Sequence, residues 1–313
     1  MFQPDFIAFD AGTVTLNVAV AGARSNPPIV LLHGFPEYWA AWREVMEDLS
    51  RDFFVIAPDQ RGYNLSSKPD GVDAYRSRHM VADLAALANH LSPGRPFALA
   101  GHDWGASVAY AFAFAHPERL TCLIIANGVH PWCFQNAIHT DPAQRLASQY
   151  INKLREPATD RRMAEDGFRR TFRMIEGFSR ADWMVGDVRA AYLDAWSQPG
   201  AMTAMLNWYR ASPIDVPEPG QAPRKTVLDT LPLEAMSVRV PHLVLWGEAD
   251  TALRPTCLDG LERFAPDLTI ERIADADHWI LHEKPKQVAD AIRRFARPRS
   301  SQKQPGGIDG SAG

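Results

Sequence analysis

The sequence predicts an α/β protein with a mostly parallel, eight-stranded sheet that carries helices on both faces. Short apolar segments of strand length alternate with segments of helical spacing, first before residue 127 and again near the end of the chain. Such alternation is typical of parallel sheets, whose strands are buried on both faces and are therefore apolar throughout. A stretch of roughly 110 residues interrupts the alternation and is too long for a simple connection. We therefore also expect an inserted helical cap.

A hairpin and a series of strands and helices are predicted before the insertion. Apolar runs at 6–9 and 14–20 flank a turn-forming Asp-Ala-Gly, which is the pattern of a β-hairpin. Continuous apolar runs predict buried strands, and apolar residues at helical spacing predict helices. The strands are expected at 28–32, 53–57 and 120–126 and from residue 97, and the helices at 39–49 and 77–91 and after residue 103.

The insertion and the end of the chain complete the predicted organisation. Helices are expected at 142–155, 161–174, 180–196 and 201–210, followed by a Pro- and Gly-rich loop at 213–223. After the insertion, strands are expected at 240–246 and 268–273, and helices at 256–264 and 285–295. The expected units are a core domain of residues 1–128 and 236–297, a cap domain of residues 129–235, and a disordered tail at 298–313.

The composition excludes several classes of function. A net charge of −4 provides no basic surface for nucleic acid or for an acidic membrane. The three cysteines form no Cys-x-x-Cys pattern, which favours reduced thiols in a cytoplasmic protein. No apolar run reaches the length of about 18 residues that a membrane span needs, and the N-terminus lacks the pattern of a signal peptide. We expect a cytoplasmic protein without a membrane span or a nucleic-acid partner.

The most informative stretch is 97–110, where an apolar strand turns through Gly101-His102-Asp103-Trp104-Gly105 into an Ala-rich helix. This is the form of a nucleophile elbow, in which small flanking residues allow a sharp turn that exposes one side chain. Asp103 stands where serine is usual. A carboxylate that attacked an acyl carbon would form a reactive anhydride, whereas at a saturated carbon it displaces a leaving group and forms an alkyl ester. An epoxide or an alkyl halide therefore fits better than an ester, and an ordinary surface turn is the alternative.

An alkyl ester of Asp103 must be hydrolysed, which requires a base that activates water. His278 and Asp250 each lie just after a predicted strand, and sites assemble at the carboxyl ends of parallel strands. The chain order of nucleophile, acid and histidine is that of α/β hydrolases. Ordinary pKa values of about 6.5 for His and about 3.9 for Asp predict a mostly neutral His278 and an ionised Asp103 at neutral pH. Glu248 is the alternative acid, whereas Asn127, at another strand end, carries no charge.

Four motifs together resemble those of the α/β-hydrolase-fold soluble epoxide hydrolases, in the epoxide hydrolase and haloalkane dehalogenase superfamily. The resemblance extends from about residue 6 to residue 297 and includes the cap. It implies the α/β-hydrolase fold for the sheet predicted above. The motifs are His33-Gly34-Phe35-Pro36-Glu37, Asp59-Gln60-Arg61-Gly62-Tyr63, Gly101-His102-Asp103-Trp104-Gly105 and Asp277-His278-Trp279.

The resemblance implies roles for five residues. Asp103 would be the nucleophile and His278 the base that activates water. Asp250 would be the acid that orients His278. The backbone N–H groups of Phe35 and Trp104 would form an oxyanion hole, with a cis peptide bond after Phe35.

Two cap tyrosines would hold the epoxide oxygen, as the resemblance implies. The segment Asn207-Trp208-Tyr209-Arg210 looks like the second tyrosine segment of the family, and Ser148-Gln149-Tyr150 resembles the first. The alternative for both tyrosines is a packed aromatic on an amphipathic helix.

The expected substrate is a small, apolar, electrophilic molecule. No cofactor and no metal are expected. The oligomeric state considered for this chain is a homodimer. The residues expected to bind the substrate are Phe35, Trp104, Tyr150, Tyr209 and Trp279.

Other functions of the same fold fit parts of the pattern. Haloalkane dehalogenases resemble this chain in their nucleophile and base, but they have Asn where Phe35 follows His-Gly here. Fluoroacetate dehalogenases, which act on a haloacid, carry arginines where this chain has Trp104 and Ser107. A non-catalytic small-molecule receptor is the third alternative, and the complete set of nucleophile, acid and base argues against it. The sequence therefore predicts an epoxide hydrolase that forms a vicinal diol through an alkyl ester of Asp103.

Overall fold

The computed structural model describes residues 2–178 and 183–297, and these contain eight strands in one sheet. The strands are β1 (Asp5–Asp10), β2 (Thr15–Ala21), β3 (Pro28–Leu32), β4 (Phe54–Pro58), β5 (Phe97–His102), β6 (Leu120–Ala126), β7 (His242–Gly247) and β8 (Leu268–Ile273). Their order in the sheet is β1-β2-β4-β3-β5-β6-β7-β8. The pairs β1–β2 and β2–β4 are antiparallel, and the remaining pairs are parallel. The predicted fold class is confirmed.

The central strands β3 and β5 place two loops side by side. Both strands are buried along their whole length, in agreement with their continuous apolar sequences. The parallel register pairs Leu32 with Gly101, so the residues that follow β3 lie next to the residues that follow β5. On the other side of β5, His102 pairs with Ala126, which brings the end of β6 to the same edge of the sheet.

Helices cover both faces of the sheet. A 3-10 turn at Trp39–Trp42 leads into α1 (Arg43–Leu49), which is followed by α2 (Ser77–Leu91) and α3 (Trp104–Ala115). Parallel crossovers are right-handed, and the crossover through α1 moves along the sheet in the opposite direction to the crossovers through α2 and α3. The helix α1 therefore lies on one face and packs against the last helix, while α2 and α3 pack together on the other face.

Six helices form the insertion between β6 and β7 within the described residues. They are α4 (Pro131–Thr140), α5 (Pro142–Ala147), α6 (Gln149–Arg155), α7 (Thr159–Gly177), α8 (Gly186–Ser197) and α9 (Ala201–Ala211). The sequence did not predict α4, which begins at a proline; at the first helical position proline loses no hydrogen bond. The single helix predicted at 142–155 is wrong, because the chain divides into α5 and α6 at Ser148. Non-helical dihedral angles at residues 165–168 likewise interrupt α7.

The chain returns to the sheet with β7 and β8 and ends in two helices. These are α10 (Ile280–Glu283) and α11 (Pro285–Ala296). The helix predicted at 256–264 is wrong, since two short 3-10 turns occupy Pro255–Leu258 and Leu261–Arg263. Asp259, in an extended conformation, ends the first turn, and Gly260 begins the second turn in a left-handed conformation with a φ of +83°.

Several predictions about the whole chain stay predictions. The predicted tail at 298–313 and the start of the helix predicted at 180–196 include residues outside the described ones. The domain boundaries, the cytoplasmic location and the homodimer are untested. Within residues 2–178 and 183–297, no helix has both the length and the apolar character that crossing a bilayer requires. The three cysteines are unpaired and buried.

Candidate active site

Asp103 lies in the sharp turn between β5 and α3, with a φ of +49° and a ψ of −118°. Positive φ is unfavourable for a residue with a side chain, so the surrounding packing must hold this conformation. A Cβ atom on Gly34 would come within 2.4 Å of the Cβ of Asp103, and one on Gly105 would come within 2.2 Å of the Leu32 carbonyl oxygen. Only glycine fits these two positions, which lets the β3 loop and α3 approach the turn. The turn has the geometry of a nucleophile elbow.

One backbone N–H group contacts the Asp103 carboxylate, and a second belongs to the next residue in the chain. The N–H of Phe35 donates to Oδ1 of Asp103 at 2.8 Å. The peptide bond between Phe35 and Pro36 is cis. Trp104 follows Asp103 directly and is the first residue of α3, so its N–H has no acceptor within the helix. These are the two N–H groups that the sequence predicted for an oxyanion hole.

His278 lies between two carboxylates. Its Nδ1–H donates to Oδ2 of Asp250 at 2.8 Å, and its Nε2 lies 3.5 Å from Oδ2 of Asp103. All three side chains are largely buried, and each follows a strand of the sheet. The structure therefore brings together the three residues that the sequence predicted as nucleophile, base and acid.

Asp250, not Glu248, is the acid that contacts the histidine. The N–H groups of Ala252 and Leu253 both donate to Oδ1 of Asp250 at 2.8 Å. The Asn127 side chain donates to Oδ2 of Asp250 at 2.7 Å. The uncharged Asn127 therefore helps to hold the carboxylate of Asp250. Glu248 instead pairs with Arg272 near the surface at 2.7 Å.

The two carboxylates change the proton affinity of the histidine. Burial alone would lower the pKa of His278, but the charges and hydrogen bonds of Asp250 and Asp103 outweigh it and raise the pKa well above its ordinary value. Burial would raise the pKa of Asp250, but His278 and the hydrogen bonds to the carboxylate hold it below its ordinary value. The two carboxylates therefore favour the imidazolium in the free protein, in contrast to the mostly neutral His278 that ordinary pKa values predict.

Tyr150 and Tyr209 lie close together in the insertion, on α6 and α9. The Tyr209 ring packs edge-on against the rings of Phe35 and Trp104, with 5.0 Å between ring centroids in each pair. The Tyr150 ring lies 6.3 Å from the Tyr209 ring. Burial and the nearby Asp103 charge raise the pKa of both phenols, so both keep their protons at neutral pH.

A cavity of about 440 Å³ lies between Asp103 and the two tyrosines. Its wall includes Asp103, Trp104, Tyr150 and Tyr209 and is otherwise mostly apolar. The size and the lining are those of a small-molecule site. Among residues 2–178 and 183–297, no three His, Cys, Asp or Glu side chains are grouped as the ligands of a metal ion would be.

Comparison with known proteins assigns the family. Residues 27–285 match the family model for the α/β hydrolase fold. The chain belongs to the α/β-hydrolase fold family. This hydrolase is 36% identical over 286 residues to the AB hydrolase superfamily protein YfhM of Bacillus subtilis, with 91% of this chain and 95% of that protein covered.

Solved structures of epoxide hydrolases are also similar to this α/β hydrolase. An epoxide hydrolase from metagenomes of hot environments is 37% identical, with 94% of this chain and 98% of that chain covered and a TM-score of 0.81. The Bacillus megaterium epoxide hydrolase is 32% identical, with 93% of this chain and 99% of that chain covered and a TM-score of 0.82.

Two of the residues predicted to bind substrate do not line the cavity of this hydrolase. The Trp279 side chain is 1% exposed, and its indole N–H donates to the Ile175 carbonyl at 3.1 Å. Its ring packs edge-on against His278, with 4.9 Å between ring centroids. The Phe35 ring is buried against Tyr209, so Phe35 contacts the site through its N–H and through that tyrosine. Both rings are packed in the hydrophobic core instead of facing the cavity.

A buried acid behind the site escaped the sequence analysis. Oε2 of Glu37 lies 2.9 Å from Nδ1 of His102. The Nε2–H of His102 donates to the His278 carbonyl at 2.8 Å. The other oxygen of Glu37 lies 2.9 Å from Nε2 of His282 and accepts from the Tyr192 hydroxyl. Burial would raise the pKa of Glu37, but the two histidines hold it well below its ordinary value. The available sequence signal for Glu37 was its position as the last residue of the first motif.

Proposed function

We propose that this α/β hydrolase converts an apolar epoxide into a vicinal diol through an alkyl ester of Asp103. The observation that carries the proposal is one cavity that holds the Asp103 carboxylate together with two protonated phenols, with the His278 imidazole 3.5 Å from the carboxylate. The similarity to solved epoxide hydrolases supports the same reaction class.

Alkylation of the carboxylate is the first step. Oδ1 of Asp103 is held by the Phe35 N–H, which leaves Oδ2 to attack an epoxide carbon from the back. The bond from that carbon to the epoxide oxygen breaks, and the electron pair stays on the oxygen. Tyr209 or Tyr150 then gives its proton to the developing alkoxide. The raised pKa values of these phenols ensure that a proton is present to give.

Alkylation also prepares the base for the second step. The free protein favours the His278 imidazolium because two carboxylates face it. Ester formation removes the charge of Asp103, so the pKa of His278 falls. The imidazolium then releases its proton, which passes through solvent to the phenolate left by the first step. The remaining carboxylate, Asp250, keeps Nδ1–H in place and leaves Nε2 free to accept a proton from water.

Hydrolysis of the ester is the second step. His278 takes a proton from water, and the water oxygen attacks Cγ of Asp103. The oxyanion develops on Oδ1, where the N–H groups of Phe35 and Trp104 stabilise it; one such donor typically contributes about 3 kcal/mol. Collapse breaks the bond between Cγ and the ester oxygen, and the leaving diol takes the proton from His278. The second water proton is left on the Asp103 carboxyl and passes to Nε2 of His278, which restores the carboxylate and the imidazolium of the starting state.

The dehalogenase alternatives fit the cavity less well. A departing halide needs no proton, so two phenols in the wall would serve no purpose in that reaction. A haloacid needs a free cation, but the two arginines in the cavity wall, Arg76 and Arg78, are both paired with Asp73. A halide-release assay with short haloalkanes and with fluoroacetate is expected to give no signal above background.

Isotope incorporation in a single turnover tests the covalent step. With enzyme in excess over styrene oxide in heavy-oxygen water, we expect the label in Asp103 and an unlabelled diol. Mass spectrometry of the peptide that contains Asp103 and of the diol measures both products. Label in the diol of the first turnover would mean that water attacks the epoxide directly, and it would overturn the proposed intermediate.

A further inference from the structure

A buried glutamine in the insertion holds the loop that carries the catalytic acid. The Gln144 side chain, on α5, is fully buried. Its Nε2–H donates to the Ala252 carbonyl at 3.0 Å, and its Oε1 accepts from the Arg254 N–H at 2.7 Å. The thiol of Cys257 also donates to Oε1 at 3.2 Å. One amide therefore contacts both a carbonyl and an N–H group of the segment just after Asp250.

The contacted segment is the one that fixes the Asp250 carboxylate. The N–H groups of Ala252 and Leu253 donate to Oδ1 of Asp250, and the other carboxylate oxygen contacts His278. Leu253, between the two residues that Gln144 holds, also lines the cavity. A shift of this segment would move the acid, and through it the imidazole that the acid orients.

The same glutamine contacts the start of the helix that carries Tyr150. The second N–H of its amide donates to Oγ of Ser148 at 2.9 Å, and Ser148 is buried. Ser148 immediately precedes α6, in which Tyr150 is the second residue. The amide thus lies between the junction of two insertion helices and the loop after β7.

We propose that Gln144 is a positioning residue that fixes Asp250 relative to His278 and holds Tyr150 over the same cavity. A primary amide suits this task because it donates two hydrogen bonds and accepts others, whereas a carboxylate or an apolar side chain offers only part of this set. The kinetic part of the inference rests on the proposed function, but the part that concerns His278 does not.

Titration of His278 by NMR tests the inference without any substrate. In Gln144→Met the loop loses its buried partners, Asp250 is held less firmly, and the pKa of His278 should fall by about half a unit or more. The titratable groups that face His278 are Asp103, Asp250 and His102, and the substitution changes none of them. Spectra of protein labelled at histidine, assigned with His278→Gln, measure the midpoint.

Gln135→Met is the matched control. Gln135 is also a buried glutamine of the insertion, and its amide likewise contacts a carbonyl and an N–H group of one segment. Its Nε2–H donates to the Asp215 carbonyl at 2.9 Å, and its Oε1 accepts from the Asp215 N–H at 2.8 Å. This variant loses contacts to Asp215 and His139 instead of contacts to the segment after Asp250, so the His278 midpoint should stay unchanged.

Kinetics provide the second measurement. With an epoxide that accumulates the alkyl-enzyme, Gln144→Met should slow ester hydrolysis about tenfold, and Gln135→Met should not. If Gln144→Met does not fold, Gln144→Asn replaces it, because its shorter amide cannot reach both Ala252 and Arg254. Equal midpoints in the Gln144 and Gln135 variants would overturn the inference. Absence of an alkyl-enzyme in the wild type would instead overturn the proposed function and leave the titration decisive for Gln144.

Discussion

The two sides of the cavity are built in different ways. On the sheet side, Asp103, Asp250 and His278 follow strands, and backbone N–H groups donate to both carboxylates. On the insertion side, Tyr150 and Tyr209 lie on helices, and their rings are packed against other aromatic rings. Backbone hydrogen bonds fix an atom in direction and distance, whereas aromatic packing fixes a ring more loosely.

In the mechanism that we propose, this difference assigns the two chemical steps to different parts of the molecule. The sheet side would supply the nucleophile, the base and the acid that orients the base. On the insertion side, Tyr150 and Tyr209 would supply the proton donors for epoxide opening, and Gln144 holds the loop that follows Asp250. Substitution of a sheet-side catalytic residue should therefore abolish a step, and substitution of a tyrosine should slow the first step by a smaller factor.

The largest effect is expected for His278→Gln on the sheet side. Without the imidazole, water is not activated, and ester hydrolysis should slow by about 10² to 10⁴-fold, the usual contribution of a general base. Alkylation of Asp103 should continue, because the substitution leaves the nucleophile and both phenols in place. Intact-protein mass spectrometry should then show one added epoxide mass that persists.

The matched control for this experiment is Glu248→Gln. Glu248 lies two residues from the acid but pairs with Arg272 near the surface, so turnover should change less than twofold. If His278→Gln formed no adduct and Glu248→Gln impaired turnover, the assignment of base and acid to the sheet side would be wrong.

The sheet side could be predicted from the sequence because its signals are local. The glycines around Asp103 predict a tight turn. Because the carboxyl ends of parallel strands lie at one edge of the sheet, His278 and Asp250 are predicted to lie near that turn. The proton on His278 could not be predicted, since it depends on two carboxylates that meet only in the folded chain.

The insertion was predicted less completely, because its contacts are set by packing. The pattern of apolar residues indicates helices, but it does not tell which aromatic ring lines a cavity and which is buried. The same difficulty applies on the sheet side, where Trp279 and Phe35 were expected to bind substrate but do not line the cavity. Gln144 lies on a segment without any motif, and only the fold shows that its amide reaches the loop after β7.

An intermediate effect is expected for the two tyrosines. Tyr209→Phe and Tyr150→Phe each remove one proton donor and leave the other, so alkylation should slow about tenfold in each variant. Ester hydrolysis, which uses His278, should change little. Stopped-flow measurement of alkylation and hydrolysis in a single turnover separates the two rates. A variant in which hydrolysis slowed as much as alkylation would show that the tyrosine also acts on the sheet side.

The smallest effect on catalysis is expected for Trp279→Phe. Trp279 is buried against His278 and outside the cavity wall, so the ratio of KM values for a small and a large epoxide should stay unchanged. The loss of one ring and of the hydrogen bond to Ile175 should instead lower the free energy of unfolding by about 1–3 kcal/mol. Denaturant unfolding and steady-state kinetics with styrene oxide and a naphthyl glycidyl ether measure the two quantities.

Phe134→Leu is the counterpart of that variant, because Phe134 lines the cavity from α4. Enlarging the cavity should lower KM for the large epoxide relative to the small one, while Trp279→Phe leaves the ratio alone. If Trp279→Phe shifted the KM ratio as Phe134→Leu does, the tryptophan would contact the substrate after all. If Trp279→Phe lowers stability without changing selectivity, Trp279 supports the position of His278 on the sheet side of the cavity and does not contact the substrate.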